Sequence, residues 1–162
     1  MAKYADLSIP IRLFMNGFPF SRFAIKDNPC AQLRKPLNEC KFAFVTTAGL
    51  RLKTQTPYDR SIKFGDTSFR EIPNDVDVQT LVEDHKSDSF DHAGIEADKN
   101  LALPLDRFRE LVERKEIGSL NSRHFSFMGS IIAPRKLIEE TAPQVAQNLK
   151  QDSVDAVFLT PV

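Results

Sequence analysis

KFAFVTTA, residues 41–48, is a β-branched and aromatic run closed by Gly49, which predicts a strand with a turn behind it. Phe42 and Phe44 fall on one face of that strand, Ala43 and Val45 on the other. A strand apolar on both faces must be covered on both sides, which is the situation of a strand inside a parallel sheet. VDAVFLTPV (154–162) repeats the pattern, with Val154, Ala156 and Phe158 against Val157 and Leu159, and predicts a buried strand over 154–160.

Between these two runs the periods alternate. PLDRFRELVERKEIG (104–118) predicts a helix, with Pro104 in its first turn, Leu105, Phe108, Leu111 and Val112 on one face, and Gly118 as its stop. HFSFMGS (124–130) predicts a strand. PRKLIEETAPQVAQNLKQD (134–152) predicts a helix with Leu137, Ile138, Thr141, Val145 and Leu149 on one stripe. Pro143 should kink or restart it, with Thr141 as a second N-cap. DVQTLVED (77–84) reads equally as a short strand or a helical turn, and 51–75, with Pro57, Gly65 and Pro73, as a long ordered loop. Strand, helix, strand, helix, strand is the order of a three-layer α/β domain with a parallel sheet, Rossmann-like or flavodoxin-like. That domain is expected over 41–162. Residues 1–40, rich in Phe and Pro, are expected as an irregular lead-in with at most a short helix, packing its aromatics on the body.

Composition narrows the function classes. The 162 residues carry 22 Lys and Arg against 22 Asp and Glu, so no net charge draws the chain to nucleic acid or to an anionic membrane. The apolar opening is interrupted by Arg12, Asn16 and two prolines and is too short for a membrane span or a signal segment, so a soluble, cytoplasmic protein is expected. Cys30 and Cys40 lack the spacing of a zinc site, and two free thiols are favoured over a disulfide. The six glycines form no phosphate-binding pattern, and no nucleophile elbow is present.

Three stretches carry candidate chemistry. In TTAG, residues 46–49, Thr46, Thr47 and Gly49 stand where a strand meets a loop, and the carboxyl ends of parallel strands are where such sheets bind ligands. They suit a carboxylate or phosphate, or else a plain strand end. DHKSDSFDHAG (84–94) holds His85, Asp91 and His92, with Asp98 beyond, residue types that move protons near neutral pH. Their spacing matches no metal motif, and a structural loop is the competing reading. In GSLNSRHFSFMG (118–129), Arg123 and His124 suit carboxylate recognition or simply mark a strand start.

FAFVTTAGL, GDTSFREIP, PLDRFREL, RHFSFMG and VDAVFLTPV, in this order, resemble the selenoprotein B family of glycine, sarcosine, betaine and D-proline reductases. The likeness runs from about 41 to 162, and the first 40 residues match loosely. In that family a run ending Thr-Pro-Val is followed directly by selenocysteine or cysteine. The resemblance therefore implies a redox residue immediately after Val162, with the chain ending where a selenocysteine codon is read as a terminator. It implies reductive cleavage of a C–N bond in a small amino-acid-like substrate, partner reductase subunits, and a pyruvoyl group on one of them. It implies that Thr46, Thr47, Arg123, Thr160, His92 or His124 grips the substrate; by their own residue types, His85, Asp91, His92 and His124 are the candidate acids or bases. The redox residue is absent from the sequence, and the chain is shorter than the glycine reductase subunit. Two alternatives stand beside this reading: a non-catalytic α/β binding or interaction module, and a metal-dependent enzyme using His85, Asp91 and His92.

Overall fold

The structure is a computed structural model that describes residues 8–17, 31–87 and 90–162. Seven strands and four α-helices follow in chain order. They are α1 (Ile9–Gly17), β1 (Lys41–Thr46), β2 (Leu50–Arg51), β3 (Phe69–Pro73), β4 (Val82–Glu83), α2 (His92–Ala97), α3 (Leu105–Glu113), β5 (Ser119–Leu120), β6 (Arg123–Phe127), α4 (Ala142–Gln151) and β7 (Ala156–Thr160).

The main sheet has β1 at its centre. β7 pairs with it in parallel along 42–46. On the other side β5 and then β6 run parallel to it, Phe42 opposite Leu120 and Val45 opposite Phe125. β3 adds an antiparallel edge beyond β6, so the sheet is mixed where an all-parallel one was expected. β3 lies inside the stretch expected as loop. Its Pro73 suits an edge strand, where a missing N–H costs no ladder bond.

The two-faced pattern of β1 is realised. Phe44 joins a core with Leu103, Leu105 and the half-buried Phe108 of α3, the two Phe rings packing edge to face at 4.7 Å. Ala43 joins Phe125, Phe127, Val145 and Leu149 on the α4 side. Helices therefore cover both faces of a mixed α/β sheet.

Four local expectations need correction. α3 ends at Glu113, and Lys115, at φ 60°, closes it while Glu116 N–H reaches back to Leu111 O and Lys115 N–H to Val112 O. Gly118 serves a close approach instead: a Cβ there would lie 2.7 Å from the Glu39 carbonyl carbon. Before α4 the chain makes a π-helical turn at Leu137–Thr141, which absorbs the N–H that Pro143 lacks. Thr141 is helical with no capping bond, and Ile138 is exposed. β7 is not buried: Val157, Phe158 and Leu159 are 39%, 42% and 66% exposed, because among the described residues β7 pairs with β1 alone.

The stretch at 77–84 combines both readings, a 3-10 turn at Val78–Thr80 and then β4. In the lead-in, α1 is the short helix. Tyr4, Phe18, Phe20, Phe23 and Cys30 lie outside the described residues, while Cys40 is a free, buried thiol.

Candidate functional site

The carboxyl ends of β1, β6 and β7 lie side by side, and a cavity of about 510 Å³ opens there. His85, Phe90, Asp91, Ile95, Ser130 and Val162 are among its walls. Its volume is that of a small-molecule site.

Local geometry explains how a loop residue reaches a sheet edge. β2 and β4 pair antiparallel, Leu50 opposite Glu83, and carry the chain after β4 back across the end of β1. Gly49 makes that crossing feasible: its φ is +66°, and a Cβ there would stand 2.7 Å from the His85 nitrogen. Asp84 N–H donates to Gly49 O at 3.0 Å, and the Asp84 carboxylate takes Arg51 Nε–H at 2.5 Å.

His85 is 3% exposed and stacks on Phe90 with ring centres 4.1 Å apart. Its Nδ1 accepts the Ser87 N–H at 3.2 Å, which leaves the proton of the neutral ring on Nε2. Burial holds its pKa below the usual histidine range. His92 is the opposite case. Its Nδ1 meets Glu83 Oε2 at 2.6 Å and its Nε2 meets Ser87 O at 3.0 Å, so both nitrogens face acceptors. The hydrogen bond to Glu83 raises its pKa. The other Glu83 oxygen accepts the His85 main-chain N–H, so one carboxylate ties the two histidines together. Asp91 caps α2, its Oδ1 accepting Gly94 N–H at 3.0 Å. Asp98 lies away from the cavity lining and takes Asn100 N–H at 2.9 Å.

The threonines at the strand ends hold the chain rather than standing open. Thr46 Oγ1 donates to Thr160 O at 3.4 Å and accepts Ala48 N–H. Thr47 Oγ1 accepts Val162 N–H at 3.0 Å and donates to Val162 O at 3.3 Å, which pins Val162 at the cavity. Thr160 Oγ1 is buried with no partner among the described residues.

Arg123 and His124 sit at the start of β6, the opposite end of the sheet from the cavity. Arg123 grips Asp152 with two bonds of 2.8 and 3.0 Å and reaches Glu71 at 3.2 Å; these partners raise its pKa further. His124 is fully buried, and burial pushes its pKa down to about 4. Neither joins His85, Asp91 and His92. Among the described residues no three His, Cys, Asp or Glu side chains gather as metal ligands, and no helix is long and apolar enough to cross a membrane.

Sequence reasoning missed Glu83, Phe90, Ser130 and Gly129. Glu83 had a signal, an acid two residues before His85. Gly129 had none, since its role depends on Thr47 and His85 arriving from other strands: a Cβ there would lie 2.6 Å from His85 Nε2.

Fold and site together define an α/β domain with a cavity of small-molecule size at the carboxyl edge of its parallel strands. The family model described as glycine/sarcosine/betaine reductase selenoprotein B matches residues 15–162. The chain belongs to that family, and the match begins well before residue 41. It is 35% identical over 126 residues to the D-proline reductase subunit gamma of Acetoanaerobium sticklandii, covering 78% of this chain and 50% of that one. The chain thus spans about half the length of the curated relative it matches. No solved structure matches it.

Proposed function

We propose that this chain is the selenoprotein B-like component of a reductase that cleaves a C–N bond in an amino acid or N-substituted glycine. The observation that carries the reading is that Val162, pinned by Thr47, lines the same cavity as the buried His85. A selenocysteine or cysteine following Val162 would stand at the carboxyl edge of the sheet. It would supply the chemistry: two electrons from a thiol donor and two protons turn C–N into C–H and N–H. A redox anion of this kind is the reactive form.

The chain's own residues bind and orient. Thr46 and Thr47 fix the end of β7, and Thr160 closes that edge. Gly49 lets the His85 loop cross the strand ends. His92 and Asp91 are the groups near the cavity suited to proton movement. Partner reductase subunits, one of them bearing a pyruvoyl group, belong to the same reading. So does a Rossmann-like or flavodoxin-like domain over 41–162 that continues past Val162, with 1–40 as lead-in.

The test is to read the gene beyond the Val162 codon and express the whole frame. A selenocysteine or cysteine codon in the next position is expected, and thiol-dependent reduction of an amino acid such as D-proline by the extended protein with its partner subunits. An ordinary stop with no continuing frame overturns the reading.

A further inference from the structure

The loop from Asp59 to Ser68 holds two large apolar side chains out in solvent: Ile62 is 43% and Phe64 47% exposed. Beneath them the loop is tied down. Asp66 is buried, and its carboxylate oxygens accept Asp59 N–H at 2.9 Å and Ser68 N–H at 2.8 Å. Asp59 in turn accepts the N–H and the hydroxyl of Ser61. Lys86 Nζ donates to Ile62 O at 2.6 Å, and Ile132 N–H donates to Phe64 O at 2.9 Å. Gly65, at φ +97°, seats the loop so closely that a Cβ there would lie 2.9 Å from Ile131 Cα. Apolar side chains held out on a fixed frame suit docking, because little ordering remains to be done when a partner covers them.

Ile62 and Phe64 border a groove of about 430 Å³ together with Ala133, Lys136 and Thr141. The surroundings are cationic. Lys136 is one of the walls, Lys63 lies 5.4 Å from the centre of the Phe64 ring, and Arg60 precedes Ile62 by two residues. Among the described residues, Arg60, Lys63 and Lys136 have no carboxylate within ion-pair distance. Asp59 and Asp66 are occupied by the loop's own N–H groups, and Glu139 and Glu140 are not among the groove's walls. A second copy would set like charges against each other. A polyanion without apolar side chains would meet the cations and leave Ile62 and the groove uncovered.

We propose that this groove docks an acidic segment of a partner protein. An apolar side chain of that segment fills the space beside Ile62 and Phe64, and its carboxylates meet Arg60, Lys63 and Lys136. That the chain meets a partner subunit at all rests on the reductase reading; where it does so is read from the loop. The groove shares none of its walls with the cavity beside His85. Gly65 nevertheless abuts Ser130, which lines that cavity, so the docked partner sits next to it.

The test uses the 162-residue chain and three labelled peptides followed by fluorescence anisotropy. The first is a short run of Glu and Asp carrying one Phe and one Leu, the second has Ala for both apolar residues, and the third has Lys for every acid. The first should bind saturably, and several-fold more weakly as salt rises from about 50 to about 300 mM. The second should bind about tenfold more weakly, and the third not at all. Phe64→Ser and Lys136→Glu, both at exposed positions, should each weaken the first peptide about tenfold. Lys150→Glu, at the far end of α4, should leave it unchanged. No binding of the first peptide, equal binding of the first two, or binding unmoved by Phe64→Ser overturns the inference. Tighter binding of a single-stranded RNA of the same length overturns it in favour of nucleic acid. If the extended protein fails to bind the peptide that the 162-residue chain binds, the occupant is the chain's own continuation, and the inference falls. None of these outcomes touches the reductase reading, which stands or falls on the downstream frame.

Discussion

His124 Nδ1 accepts the main-chain N–H of Phe44 at 3.2 Å, so a side chain completes the hydrogen-bond ladder of the central strand. The need arises from register. β1 advances three residues, from Phe42 to Val45, while its neighbour advances five, from Leu120 to Phe125. The excess around Asn121 and Ser122 bulges away and leaves Phe44 N–H without a main-chain acceptor there. His124 fills the gap, and its Nε2 donates to Asn74 Oδ1 at 3.2 Å.

This arrangement predicts acid sensitivity. The ring is neutral in the fold because burial pushes its pKa to about 4, against about 6.5 in the unfolded chain. Protonation therefore favours unfolding. The stabilisation is complete above about pH 6.5, falls as pH drops through the window, and is gone below about 4, a loss on the order of 3 kcal/mol. Urea unfolding at pH 7.5 and at 4.5 should show it. His124→Asn keeps an acceptor near Nδ1 and removes the titration, so its stability should vary less over that window. An unchanged pH slope in His124→Asn would remove His124 as the cause.

Arg123 is predicted to be structural. Its guanidinium joins Asp152, at the end of α4, to Glu71 on β3, tying a helix to the antiparallel edge strand. Arg123→Lys loses the two-pronged contact and should cost roughly 1–2 kcal/mol in denaturant unfolding. Ligand binding in the cavity at the other end of the sheet should not change.

The Glu83 carboxylate should set the charge state of His92. Glu83→Gln removes the anion that raises the His92 pKa, which should then fall toward the ordinary value near 6.5. Proton NMR titration of the ring measures it directly. A His92 pKa unchanged by Glu83→Gln would contradict the pairing.

How much of this was legible follows from what each feature depends on. The two-faced strand at 41–48 and the stripe around Phe108 are local patterns, and both packed as their periodicity requires. β3 escaped because FREIP sits among turn residues and is held by pairing with β6, a partner at least 50 residues away. Arg123 and His124 look the same in sequence whether they hold a ligand or a fold. Only their position at the amino end of β6 separates them from His85, which lies at the carboxyl edge. His85 and Asp91 were legible as polar loop residues. That one is a neutral buried donor and the other a helix cap was not, because Ser87, Phe90 and Gly94 determine those states.

β7 carries the last prediction. Val157 and Leu159 face the α4 side, where they border an apolar groove with Val45, Phe127, Val145 and Leu149, and Phe158 packs on Phe108 at 5.1 Å from the other side. All three β7 residues remain well exposed, on a strand that among the described residues has one partner. An apolar strand edge of this kind is a template for further pairing. The 162-residue chain should therefore self-associate as its concentration rises, visible in sedimentation velocity. Val157→Lys and Leu159→Lys each put a charge on that edge without touching the fully buried core, and together they should return the chain to monomer while the helical and strand signal in circular dichroism persists. A chain that stays monomeric at high concentration, or association that survives both lysines, would show that this edge is not the sticky surface.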